Sequence, residues 1–331
     1  MVFMNFLESK LFFAAAPVSI RKFDKYKKEC PEVYQRTSMY MIVKRAVPSI
    51  RVVNNDELSD FLEIRGIKER DNIEFAKQLE MYVRDGKAAA LDIVQSCSNK
   101  RLKGVYQYPE DIFTNDSISL RQDVELEEIM YYSSQGMGTF CARGDIIPFL
   151  TYEVMYVGQC VDEPLAVRFK AHHALQDMLI HEDVISKEYS NSDELVIFPL
   201  YSESNTVSIL TGDLEMDDWI KAFSNDFSFG PKDIDRDCEK ALVHSMSPKY
   251  NCIKFKKYPM SSDGLYNSDA DVYCYTINEN IILKYDNGLV YGASDDMYAS
   301  RIIGDRIDKT VTIYAPGEDY IQKYTDRIFP F

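Results

Sequence analysis

Between residues 57 and 94, apolar positions recur three and four apart. The runs Glu57 to Arg65, Asn72 to Val83 and Ala88 to Val94 share this spacing, which predicts a helical N-terminal region over residues 1–103. The pattern changes at Gly104. Short runs rich in β-branched and aromatic residues follow at Gly104 to Tyr108, Leu126 to Tyr132, Ile147 to Gln159 and Leu195 to Tyr201, and they read as strands. Two helices are expected among them. One starts at Pro164, a residue suited to a first turn, and runs to about Glu182; the other starts at the acidic stretch Asp233 to Asp237 and stops before Pro248. Beyond Pro259 strands return at Val272 to Ile277, Ile281 to Tyr285, Leu289 to Tyr291 and Thr310 to Tyr314, with Asp286-Asn-Gly288 as a hairpin turn. These make a β-rich C-terminal module, residues 261–331.

Composition narrows the class. A chain of 331 residues with 46% hydrophobic and 27% charged side chains can bury a real core and divide into two or three domains. The apolar stretch Leu11 to Ile20 is about half of the roughly 20 residues a bilayer span needs, so no membrane segment is expected. No basic segment precedes Phe3 to Leu7, which argues against a signal peptide. The seven cysteines are an odd number, scattered, with no metal-binding spacing. They read as reduced thiols of a cytoplasmic protein. A net charge of -15 argues against a surface that is basic all over, so any contact with nucleic acid must use a local patch.

One ordered set of residues carries chemistry. Tyr156-Val-Gly158 ends a predicted strand, Arg168 and His172 lie four apart on the helix after it, Glu239 lies on the second helix, and Pro248-Lys-Tyr-Asn251 forms the turn beyond. A guanidinium to hold phosphate, a Tyr/His pair for proton transfer and a carboxylate for a hard divalent cation are the parts that phosphodiester hydrolysis requires. Lys170, Lys249, Lys254, Lys256 and Lys257 cluster near these residues and supply a basic groove for nucleic acid. The tyrosines beyond Pro259 read as packing for a small sheet ahead of two alternatives, stacking platforms for bases or part of an oligomer interface.

The set resembles the GIY-YIG nuclease family. Tyr156-Val-Gly158 corresponds to the family's second-strand motif, Arg168 and His172 to its Arg-x-x-x-His pair, Glu239 to its metal-binding glutamate and Asn251 to its P-x-Y-N asparagine. The resemblance implies an α+β fold, a small antiparallel sheet flanked by helices, spanning 104–260 with an insertion before Tyr156. It also implies a Mg2+ (or Mn2+) ion held by Glu239, a phosphate clamped by Arg168, and a first-strand tyrosine that takes the proton from the attacking water with His172 in its network. That tyrosine is Tyr106, in Gly104-Val-Tyr106, or else Tyr131 or Tyr132. The expected activity is endonucleolytic cleavage of DNA, in preference to RNA, in restriction or phage defence. The competing reading is a non-catalytic regulatory module on the same scaffold, its acidic surface engaging a protein partner or mimicking nucleic acid; a homo-oligomer is a further candidate partnership.

Overall fold

The computed structural model describes residues 2–20, 22–23, 28, 34–46, 131, 147–169, 173–182, 193–211, 216, 229–260, 265–268, 270–320 and 324, and the backbone alone of segments 49–52, 73–83, 86–96 and 139–144. Its strands are β1 (Val2–Phe13), β2 (Val18–Ser19), β3 (Met39–Ala46), β4 (Ser49–Val52), β5 (Ile73–Val83), β6 (Gly86–Ser96), β7 (Thr139–Gly144), β8 (Thr151–Gln159), β9 (Asp193–Thr211), β10 (Val272–Ile277), β11 (Ile282–Tyr285), β12 (Gly288–Tyr291), β13 (Arg301–Asp305) and β14 (Thr310–Tyr314). Four helices are described: α1 (Ile147–Leu150), α2 (Leu165–Arg168), α3 (His173–His181) and α4 (Pro231–Met246). None is long and apolar enough to cross a membrane.

The expected small sheet flanked by helices is not the architecture. Ten strands form one large, mixed, nearly closed sheet in the order β12-β11-β8-β3-β9-β1-β10-β13-β14, with β2 added against β9. The predicted helical N-terminal region is also overturned. Of the predicted helical runs, Ile73 to Val83 and Ala88 to Val94 fall on β5 and β6, which belong to a second antiparallel sheet, β4-β5-β6-β7, while Asn72 lies outside the described residues. Here cross-strand pairing overrides helical spacing: Ala76 opposes Val94 and Leu79 opposes Leu91 across β5 and β6. Glu57 to Arg65 lies outside the described residues. The C-terminal strands do not stand apart as a module: β10 joins β1 in parallel and β11 joins β8 in parallel, so both extend the main sheet.

Alternation along β3 builds two cores. Met39, Met41 and Val43 face α4 together with Cys238, Ala241, Leu242 and Met246, whereas Tyr40 and Ile42 face α2, α3, Leu165 and Phe169. Burying Leu242 completely contributes roughly 2 kcal/mol. On α4, Asp237 is buried and accepts hydrogen bonds from the hydroxyls of Tyr258 and Tyr275, both at 2.7 Å, and from the Leu265 N–H at 3.0 Å. Those three donors tie the helix to β10 and to the chain beyond Pro259.

Two carboxylates make stability depend on pH in separate windows. Glu182 follows α3. Burial would raise it, but Lys249 at 2.6 Å, Lys44 at 2.8 Å and Tyr250 at 2.6 Å outweigh burial and hold it down at about 2. Its contribution is present above its ordinary value of 4.5 and is lost as pH falls toward 2. Glu279 behaves oppositely. It is buried beyond the end of β10, where its carboxylate takes the Phe13 N–H at 2.8 Å, and burial raises it from 4.5 to about 7. The folded chain therefore holds this proton more tightly than the unfolded chain, so stability falls as pH rises from about 4.5 to 7, by up to about 3 kcal/mol. Glu279→Gln keeps an acceptor for Phe13 and removes the charge. Thermal unfolding at pH 8 should show the variant more stable by about 1–3 kcal/mol, with the advantage gone near pH 4.5; equal melting at both pH values would refute this.

Candidate active site

Tyr156 reaches the site face because β8 is bulged. Tyr152 and Val154 point toward α4, and strict alternation would send Tyr156 the same way. Instead the register with β3 slips between Ile42↔Tyr156 and Val43↔Val154, so Met155 and Tyr156 both turn to the α2 and α3 side before Val157 returns to the α4 core. Tyr40 projects from β3 on that same side. Its ring stacks on Tyr156 with centroids 5.8 Å apart and planes 22° apart.

Gly158 makes the stack fit. It lies opposite Tyr40, and a Cβ there would sit 2.7 Å from the Tyr40 ring and hydroxyl and 2.7 Å from the Tyr156 ring. Glycine is required by this close approach of two rings.

The two hydroxyls share a guanidinium. Arg168, the last residue of α2, donates to the oxygens of Tyr40 and Tyr156, and Tyr40 donates to Tyr156. Burial pushes the Tyr40 hydroxyl far above its ordinary range, with the neighbouring Tyr156 adding to the shift and Arg168 opposing it. Tyr156 is half-buried and is also raised, first by burial and then by the charge of Glu239, against the pull of Tyr40 and Arg168. Burial works against the Arg168 charge, but the Tyr40 hydroxyl and the Glu163 carboxylate, 3.2 Å away, outweigh it. The Arg168 side chain keeps 42% of its surface exposed, so it can still meet an anion.

No family model, curated protein or solved structure matches this chain. Function must therefore be argued from the site itself.

Asn251 turns out to be a brace. It is buried, its amide donates to the Val157 carbonyl at 2.7 Å, and its amide oxygen accepts the Val157 N–H at 2.9 Å. Tyr250 donates its N–H to the Met155 carbonyl at 3.0 Å. Because β11 pairs only with Thr151 to Glu153, these two residues take over the edge of β8 beside the bulge. Asn251 thus positions Tyr156.

Among the described residues no group of three or more His, Cys, Asp or Glu side chains is arranged to hold a metal. Glu239 is half-buried on α4, close enough for its charge to act on Tyr156. A single carboxylate can hold Mg2+ only with help from waters or a substrate phosphate, since that ion keeps several waters.

The basic cluster is less available than its sequence spacing implied. Lys249 is paired with Glu182, and Lys254 donates to the Ser247 carbonyl at 3.2 Å and to Pro248, closing the end of α4. Lys256 and Lys257 are exposed. His172, Lys170, Tyr106 and Tyr132 lie outside the described residues. Tyr131 is described, and its neighbours are Glu279, Tyr201 and Arg36, not the residues of the Tyr156 cluster. The residue missed from sequence is Tyr40. It sits in Ser38-Met-Tyr-Met-Ile-Val43, whose β-branched end is a strand signal but which has no glycine ahead of the tyrosine.

Proposed function

We propose that this chain is a Mg2+-dependent phosphodiester hydrolase that cuts DNA, using a site like that of the GIY-YIG nucleases with Tyr40 as its first-strand tyrosine. The observation that carries the reading is the cluster of Tyr40, Tyr156 and Arg168 beside Glu239. The likeness is confined to the site and does not extend to the large sheet around it.

In this reading the exposed edge of Arg168 binds a phosphate oxygen, the half-buried Tyr156 hydroxyl orients the attacking water, and Tyr40 holds that hydroxyl and Arg168 in place. Glu239 would hold Mg2+, which when bound neutralises charge on the phosphoryl group. Gly158, Asn251 and the bulge keep the two rings in register. Restriction or phage defence remains the setting we propose for such an activity. A second reading, a regulatory module that binds a protein partner, draws support from the net charge of -15 and from the engagement of Lys249 and Lys254 within the fold.

Plasmid cleavage separates the two. The wild type should nick or linearise DNA with Mg2+ or Mn2+ and not with EDTA, and Arg168→Lys, which cannot bridge two oxygens, should be slower by about tenfold or more. A wild type inert at several ionic strengths would favour the regulatory module, and an undiminished Arg168→Lys would remove Arg168 from the site.

A further inference from the structure

The register of the main sheet extends the site face beyond its two tyrosines. Tyr40 opposes Pro199 on β9, and directly opposed residues point to one face. Tyr201 lies two positions along β9 and so shares that face; it opposes Phe12 on β1. The Phe12 and Tyr201 rings stack, with centroids 5.5 Å apart and planes 26° apart. The Arg36 guanidinium lies over the Tyr201 ring, 4.8 Å from its centroid, and Arg36 is exposed.

Tyr131 lies near Tyr201 and Arg36, and this part of the sheet stays partly exposed. To one side, Tyr40 and Ile42 are covered by the core that includes Leu165, Phe169 and Met178; to the other, Met4 and Phe6 are covered by Tyr320 and Tyr324. Between them Phe12 and Tyr201 are only half-buried, and Glu203, Asn205 and Val207 of the same face are exposed. Tyr201 donates its hydroxyl to Glu203, which fixes the ring. By strand geometry Tyr201 lies about 8 Å from Tyr40, a step one nucleotide can bridge.

We propose that Phe12, Tyr201 and Arg36 form a stacking ledge for an unpaired nucleobase of the strand whose phosphate occupies Arg168. The proposal rests on the nucleic-acid reading above and adds a base subsite to it. Aromatic rings with a guanidinium form a sequence-tolerant surface for exposed bases. The acidic neighbour Glu203 disfavours a phosphate there, so the ledge holds the base, not the backbone. The substrate is then DNA with a frayed, bulged or single-stranded element at the cut.

The test uses a single-stranded oligodeoxynucleotide carrying 2-aminopurine, with metal withheld so that binding is read without turnover. Stacking on the wild type should quench the probe. Tyr201→Leu and Phe12→Leu should each lower affinity about tenfold or more and relieve the quench, whereas Tyr201→Phe, which keeps the ring, should retain both. Arg36→Ala, at an exposed position that tolerates change, should weaken binding if either leucine variant fails to fold. Unaltered quenching and affinity in the folded leucine variants, or in Arg36→Ala should neither fold, would overturn the ledge. Cleavage by the wild type without any quench would overturn it while leaving the hydrolase intact. Quenching without cleavage would keep the ledge and remove the hydrolase.

Discussion

Tyr40→Phe should slow DNA cleavage by about two to four orders of magnitude while leaving the fold in place. The substitution removes one oxygen from a ring that is completely buried, so its packing against Tyr156 and Phe169 survives. What goes is the hydroxyl that accepts from Arg168 and donates to Tyr156. Arg168 would keep its Glu163 partner and Tyr156 would lose a donor, so the guanidinium and the second hydroxyl would no longer be fixed together. Tyr131→Phe is the control. Its ring belongs to the surroundings of Glu279, Tyr201 and Arg36, and the variant should cleave at the wild-type rate. Single-turnover rates with melting temperatures decide the matter. Full activity in Tyr40→Phe together with a dead Tyr106→Phe would return the first-strand tyrosine to Gly104-Val-Tyr106.

Glu239→Ala should abolish Mg2+-dependent turnover, with a loss of about three orders of magnitude or more if the carboxylate carries the ion. The side chain is half-buried on α4, and the apolar residues that anchor that helix, Cys238, Ala241 and Leu242, lie on its other faces. Unfolding should therefore change little. Two further readouts separate loss of metal from loss of structure. Mn2+ binding followed by its paramagnetic signal should disappear, and the Tyr156 hydroxyl should titrate at lower pH, because the charge of Glu239 helps to raise it. Wild-type Mn2+ affinity in the variant would remove Glu239 from the metal site.

The local chemistry was legible along the chain. Tyr156, Arg168 and Glu239 were picked out by type, order and spacing, and the structure brings Tyr156 and Arg168 together, with Glu239 near enough for its charge to act on Tyr156. The strand at Val272 to Ile277 and the helix beginning near Asp233 were equally legible, since alternation, turn residues and an acidic first turn act over a few residues. Asn251 was found for its place in a turn, but its role as the brace of β8 depends on where β11 stops pairing.

The partner of Tyr156 was decided by tertiary structure. Tyr40 and Tyr156 are separated by a second sheet, β4 to β7, inserted between the two strands that carry them, so no local spacing could join them. The bulge at Met155 and Tyr156 reverses the face that alternation assigns, and only pairing with β3 reveals it. Helical spacing in residues 73–96 lost to strand pairing for the same reason: a sheet is held by contacts between distant segments, whereas periodicity reports one segment alone. By itself the sequence determined which polar groups were available for a site; the large sheet determined which of them meet, because its hydrogen bonds set the register that aligns two tyrosines more than a hundred residues apart.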